Sequence, residues 1–201
     1  MNTSPLTFAA VIVAAGTSAR LGQPKQLLTV AGQPLIVRAA EAALRSGASP
    51  VIIVLGAYED RIRGALASLP VDIVSNPRWA DGMGSSISVG MANLVKQDPQ
   101  VDAVLIAVCD QPYFRTATIA ALRSASLGNN SIVAARYAGR LGVPVLFGSD
   151  YFEPLTKLHG DKGARQILDK NSARVLGVEL PELATDLDTP EDVQMLRDKK
   201  T

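Results

Sequence analysis

Directly after an apolar run from Phe8 to Val13, the chain reads Ala14-Ala15-Gly16-Thr17-Ser18-Ala19-Arg20-Leu21-Gly22-Gln23-Pro24-Lys25. Small residues at 14 to 16 let backbone N–H groups approach an anion closely, and Arg20 and Lys25 put two fixed positive charges on the same loop. A triphosphate suits that arrangement. The loop is not a Walker A motif, because no Gly-Lys-Ser/Thr follows, and it lacks the spacing of a dinucleotide fingerprint. Gly82-Met83-Gly84 begins such a fingerprint, but Ile87 stands where its third glycine belongs. Ser85 and Ser86, with two glycines before them at an expected helix start, are placed to offer N–H and hydroxyl groups to a ribose or a base edge; Gly82 and Ser86 are the expected contacts. A third polar segment, Cys109-Asp110-Gln111-Pro112, closes the strongest apolar run of the chain, Val101–Val108.

Each of these residues also has a plainer reading. Asp110 suits a cap on the turn before Pro112. Asp188-Thr189-Pro190-Glu191 is a good helix start, with Asp188 or Thr189 as N-cap and an acidic first turn. Cys109, the single cysteine, lies in an apolar run and reads as a small buried hydrophobe. His159 is the only histidine and reads as a loop residue, so a zinc site or a catalytic triad is not expected. Trp79 is either a cover over the cleft or a packed loop aromatic.

The elements that must position these groups follow from the apolar pattern. Short β-branched runs alternate with longer amphipathic stretches, which predicts a sheet with helices on both faces. Strands are expected at Phe8–Ala14, Val51–Leu55, Val71–Ser75, Val101–Val108, Ser131–Ala135, around Val143–Phe147 and at Arg174–Glu179. Helices are expected from near Pro34 until Gly47 ends the element, at Asp60–Ser68, over the segment that follows Gly82–Ser86 to about Val95, at Thr116–Ala125, near Ser149–Lys157 and Lys162–Lys170, and from Thr189 onward. No repeat or low-complexity linker divides the chain, so residues 1–201 read as one α/β domain with three α/β/α layers and a mostly parallel, Rossmann-like sheet. In such open sheets ligands bind beyond the carboxyl ends of the strands. Ala15–Lys25, Asn76–Ser86 and Cys109–Pro112 all fall at such ends and are expected to form one site.

Bulk composition narrows the partners. The chain is 47% hydrophobic and only 4% aromatic, which is the make-up of a globular core. A net charge of +1 gives no broad positive field, so neither nucleic acid nor an anionic membrane is expected as a partner. One cysteine cannot close an internal disulfide, and no signal peptide or spanning segment is evident near Met1, so the expected location is cytoplasmic.

The loop, read as AAG-x-S-x-R-x-G-x-x-K after an N-terminal strand, resembles the signature of nucleotidyltransferases with a mononucleotide-binding sheet. The wider match resembles the MocA-like molybdenum cofactor cytidylyltransferase branch of the MobA-like NTP transferases. Its further marks are Pro24–Leu28, Gly82–Ser86, Asp110-Gln111-Pro112, Pro144–Phe147, Gly160–Arg165 and Asp186–Asp192. The resemblance implies that Ala14, Ala15, Gly16, Thr17 and Ser18 cradle the NTP phosphates, with Arg20 and Lys25 on the α-phosphate and the departing pyrophosphate. It implies that Asp110 holds a catalytic Mg²⁺, completed by Asp188 with Asp186 nearby. That count suits Mg²⁺, which prefers one or two carboxylates besides phosphate oxygens and waters. Ala14-Ala15-Gly16 resembles the form that uses CTP, whereas guanylyl-transferring relatives commonly show Ala-Gly-Gly.

The implied reaction is transfer of CMP from CTP to the phosphate of molybdopterin cofactor. That acceptor phosphate is already ionised near neutral pH, so neither a covalent nucleophile nor a strong base is required. Asp161 and Arg165, four apart, either pair on a helix or contact the acceptor. Val143 stands where relatives often carry His, on the acceptor side. Two other functions share these residues: a transferase using GTP or a sugar phosphate, and a cofactor-binding maturation factor that serves a molybdoenzyme without turnover.

Overall fold

The computed structural model describes residues 6–97, 100–187, 189 and 191–192. In chain order the strands are β1 (Phe8–Val13), β2 (Thr29–Val30), β3 (Gln33–Pro34), β4 (Val51–Leu55), β5 (Asp72–Ser75), β6 (Ala103–Val108), β7 (Ile132–Tyr137), β8 (Arg140–Gly148) and β9 (Val175–Glu179). The helices are α1 (Leu35–Arg45), α2 (Glu59–Leu66), α3 (Met83–Lys96), α4 (Thr116–Ser124), α5 (Phe152–Thr156) and α6 (Arg165–Lys170).

Every residue of β1 is buried, as its unbroken apolar run requires of a central strand. It pairs in parallel with β4 on one side and β6 on the other, and Val13 stands level with both Val54 and Val108. The seven-stranded sheet runs β5-β4-β1-β6-β8-β7-β9 and is mostly parallel; β8 runs antiparallel to both of its neighbours. Because side chains alternate along a strand, β1 feeds two cores. Phe8, Ala10 and Ile12 pack with Ile36 and Ala40 of α1, Ile62 of α2 and Ile119 of α4. Ala9, Val11 and Val13 pack with Ile87, Met91 and Leu94 of α3, Leu155 of α5 and Ile167 of α6. These are the three α/β/α layers.

Gly90 sets how closely α3 approaches the sheet. A Cβ there would lie 2.5 Å from Cγ1 of Val11 and 2.8 Å from Cγ2 of Val54. Only a glycine lets the helix lie directly on β1 and β4.

Three expectations are corrected in detail. Between the signature loop and α1 the chain makes a short hairpin, β2–β3, turned by Ala31 and Gly32, both at positive φ. The helix expected from Lys162 begins at Arg165, because Gly163 takes a φ of 51° that a right-handed helix cannot contain. β7 and β8 extend past the β-branched runs that marked them and meet in a two-residue hairpin at Ala138-Gly139, with Tyr137 opposite Arg140. Most of the helix expected from Thr189 lies outside the described residues. No helix among the described residues is long and apolar enough to cross a membrane.

Candidate active site

The signature loop leaves β1 at its carboxyl end and is tied down from inside by a residue that the sequence reading did not single out. Gln26 is 1% exposed, and its Nε2 donates to the carbonyl oxygens of Ala14 (3.0 Å) and Gly16 (2.9 Å). Ser18, held at a φ of 54°, accepts the N–H of Lys25 on its Oγ at 3.0 Å. The amide of Ala14 continues the ladder to the Val54 carbonyl, so any N–H that the loop offers an anion comes from Ala15 onward. Gly16, Ala19 and Arg20 are exposed, and Thr17 and Ser18 partly so. Arg20 sits on the turn Ala19–Leu21 and is not part of the ion pair described next.

Lys25 reaches across the mouth of the sheet to Asp110, with Nζ 2.5 Å from Oδ2 and side chains 19% and 17% exposed. The other carboxylate oxygen, Oδ1 of Asp110, is buried and has no hydrogen-bond partner among the described residues. A buried anionic oxygen without a donor calls for a cation. The chemistry at this position therefore fits Mg²⁺ or a similar ion.

The second acid expected there, Asp188, lies outside the described residues. Its neighbour Leu187 is fully buried against Val30 and Leu35, and its N–H donates to the backbone carbonyl of Asp110 at 3.2 Å. Leu187 is thereby anchored beside Asp110, with Asp186 exposed. Capping at Thr189 is reciprocal with Asp192: the Thr189 N–H reaches Oδ2 at 2.8 Å, and the Asp192 N–H reaches the Thr189 hydroxyl at 3.2 Å. Among the described residues no three metal-binding side chains form a cluster.

Ser86 is placed differently from its expected role. Its hydroxyl is 2% exposed and accepts a hydrogen bond from Nδ2 of Asn76 at 3.0 Å, while the same nitrogen also bonds Ser85 at 2.9 Å. The two serines fasten the start of α3 to the end of β5. They do not open onto solvent. Gly82, at a φ of 100°, is packed so tightly against the loop before α6 that a Cβ would lie 2.4 Å from Oδ1 of Asp161. Trp79 packs on Gly56, where a Cβ would meet its side chain at 2.6 Å, so it is a loop aromatic fitted to the end of β4.

Asp161 and Arg165 do meet a common space. Asp161 precedes α6, so the two do not form a helical pair; both line a cavity of about 430 Å³ with Met83, Tyr137, Val143 and Lys162. One wall is fixed by Tyr137, whose hydroxyl donates to the Val143 carbonyl at 2.9 Å, and by buried Gln111, whose Nε2 donates to the same carbonyl at 3.2 Å. Burial pushes the Tyr137 phenol above its ordinary pKa, and the charge of Asp186 adds to the shift. Cys109, 3% exposed, has its thiol pushed up to about 12 by burial and by the adjacent Asp110 carboxylate. It is a packing residue, as its apolar run indicates.

A mostly parallel sheet ends here in a small-residue loop, with a lysine of that loop paired to a strand-end acid. The chain belongs to the MobA-like NTP transferase family, whose domain model matches residues 10–175. Its relatives agree with the MocA-like branch. It is 32% identical to nicotine blue oxidoreductase of Paenarthrobacter nicotinovorans, covering 92% of this chain and 94% of that protein. It is 28% identical to purine catabolism protein PucB of Bacillus subtilis (strain 168), covering 93% and 94%. A probable molybdenum cofactor guanylyltransferase of Synechococcus elongatus is 32% identical over 59% of this chain and 58% of its own length. Among solved structures, Rv0371c of Mycobacterium tuberculosis H37Rv in complex with manganese superposes with a TM-score of 0.74 at 26% identity, covering 96% of this chain and 98% of that one.

Proposed function

We propose that this chain transfers CMP from CTP to the phosphate of a molybdopterin-type cofactor and releases pyrophosphate, with Mg²⁺ as the metal. The observation that carries the proposal is the Lys25–Asp110 pair, which joins the signature loop to the end of β6 and leaves Oδ1 of Asp110 buried without a hydrogen-bond partner among the described residues; a separate cavity of about 430 Å³ offers room for a second substrate.

The loop from Ala15 to Ser18, with Arg20 and Lys25, takes the triphosphate. Moving Lys25 from Asp110 to phosphate frees both carboxylate oxygens, and Asp110 with Asp188 would then hold Mg²⁺. That ion would neutralise charge on the α-phosphate and on the departing pyrophosphate. The acceptor's phosphate oxygen attacks the α-phosphorus from the side of the 430 Å³ cavity. A new P–O bond forms as the bond to the β-bridging oxygen breaks, and the electron pair leaves with pyrophosphate. Asp161, Arg165 and Lys162 orient the acceptor, so positioning and charge neutralisation supply the rate. The choice of CTP rests on the likeness of Ala14-Ala15-Gly16 to the cytidylyl form.

The deciding assay measures pyrophosphate release with CTP, GTP, ATP and UTP in the presence of molybdopterin cofactor and Mg²⁺. CTP is expected to be used best. Preference for GTP, the nucleotide in the name of the Synechococcus relative, would overturn the base assignment. Nucleotide binding without turnover would make the chain a maturation factor that serves a molybdoenzyme. Redox conversion of nicotine blue without any NTP would replace the whole reading by the activity in the name of the Paenarthrobacter relative.

A further inference from the structure

Beyond the acceptor cavity lies a second space of about 380 Å³ that shares Arg165 and Leu168 with it and is otherwise lined by Arg136, Arg140, Asp169 and Ser172 among others. Three arginines line it in a chain whose net charge is only +1. Arg136 and Arg140 flank the Ala138-Gly139 hairpin, and Arg165 opens α6 on the facing side.

The position of Arg136 is built into the fold. Its guanidinium lies over Gly177 of β9, where a Cβ would come within 2.6 Å of Nη2, and its Nε is 3.2 Å from Oε1 of Glu179. Glu179 is itself 74% exposed, so it orients the arginine from the solvent side. Neither Arg140 nor Arg165 has a carboxylate within ion-pair range among the described residues. Among the described residues Asp169 is the one acidic residue in the lining, against three arginines. Planar, many-donor side chains gathered around one concave space match a multidentate oxyanion.

We propose that this pocket is a second oxyanion subsite, filled by an anionic group at the far end of the acceptor. The acceptor is then charged at both ends: the phosphate that attacks, and a distal oxyanion gripped by Arg136, Arg140 and Arg165. Arg165, common to both spaces, joins the two halves of the acceptor site. The assignment to the acceptor rests on the transferase reading above; the subsite itself does not.

The test has two arms. In the first, inorganic phosphate is titrated into ¹⁵N-labelled protein. Saturable shifts are expected at the amides of Gly139, Leu141 and Ser172, and Arg140→Ala should remove them while leaving shifts at Gly16 and Thr17 in place. Shifts confined to Gly16 and Thr17, or unchanged in Arg140→Ala, would overturn the subsite. In the second arm, Arg140→Ala is expected to raise the KM for molybdopterin cofactor about tenfold, with kcat and the KM for CTP unaltered. Lost phosphate shifts beside an unchanged acceptor KM would overturn the acceptor assignment and make the ligand a free inorganic anion. If no nucleotide supports turnover, the transferase reading fails, and the phosphate titration still decides the subsite.

Discussion

Nζ of Lys25 lies 2.5 Å from Oδ2 of Asp110, although 85 residues separate them in the chain. The pair joins the signature loop to the end of β6, and each side chain is more than four-fifths buried. Loss of either partner removes one charge of an ion pair that is largely shielded from solvent. Lys25→Ala and Asp110→Asn are each expected to lower pyrophosphate release by roughly a hundredfold or more, with the circular dichroism spectrum unchanged. The double variant should cost far less than the product of the two single losses, because both serve one cluster. Wild-type turnover in either single variant would show that this is not the reacting centre.

Gln26 holds the phosphate loop from below. Gln26→Leu keeps the bulk but removes both donors to the Ala14 and Gly16 carbonyls. Leaving one buried and one partly buried acceptor unpaired is expected to cost about 1–3 kcal/mol in urea unfolding and to raise the KM for the nucleotide. Gln26→Glu should be worse, since it turns an acceptor toward acceptors. A glutamate variant with normal nucleotide KM would mean that the loop keeps its shape without this clamp.

Gly82 couples the two halves of the cleft. At a φ of 100° and with Asp161 Oδ1 2.4 Å from where its Cβ would stand, alanine there would push back the loop that carries Asp161. Gly82→Ala is therefore expected to raise the acceptor KM more than the nucleotide KM, in steady-state assays that vary one substrate at a time. The reverse order would place Asp161 on the nucleotide side.

At the opposite end of the sheet, Asp102 receives the N–H of Thr7 at 2.9 Å and its hydroxyl at 2.8 Å. These bonds, the backbone one foremost, hold the carboxyl below its ordinary pKa. A depressed folded pKa adds stability above the unfolded value, near 3.9, and that contribution fades as pH falls through the folded value. Asp102→Asn should lower the melting temperature at pH 7 only slightly, because solvent screens a group this exposed, with the gap to wild type closing below about pH 4. Activity at pH 7 should be unaffected. A gap that persists at pH 2.5 would assign the effect to packing rather than charge.

Much of the sheet was legible in residue order alone. β1, β4 and β6 are unbroken apolar runs because both faces of each strand are covered, and period and length suffice to place such strands. Ends were less legible: Gly163 delays the start of a helix through its own backbone angle, and Ala138-Gly139 turns a hairpin without the Asn-Gly or Asp-Gly pair that usually announces one. Ser86 looked like a ligand contact because hydroxyls after glycines at a helix start suit one. Asn76, ten residues earlier, claims its hydroxyl instead, a pairing that only the meeting of β5 and α3 creates.

By itself, then, the chain determined its strands, its small-residue loop and the acid at the end of β6, since those depend on local pattern and on side-chain chemistry. Tertiary structure decided which of them touch. It laid Lys25 on Asp110, drew Leu187 to the Asp110 backbone and gathered Arg136, Arg140 and Arg165 around one space. Each of these groups joins residues far apart in sequence, and their proximity is a property of sheet order, which no local pattern encodes.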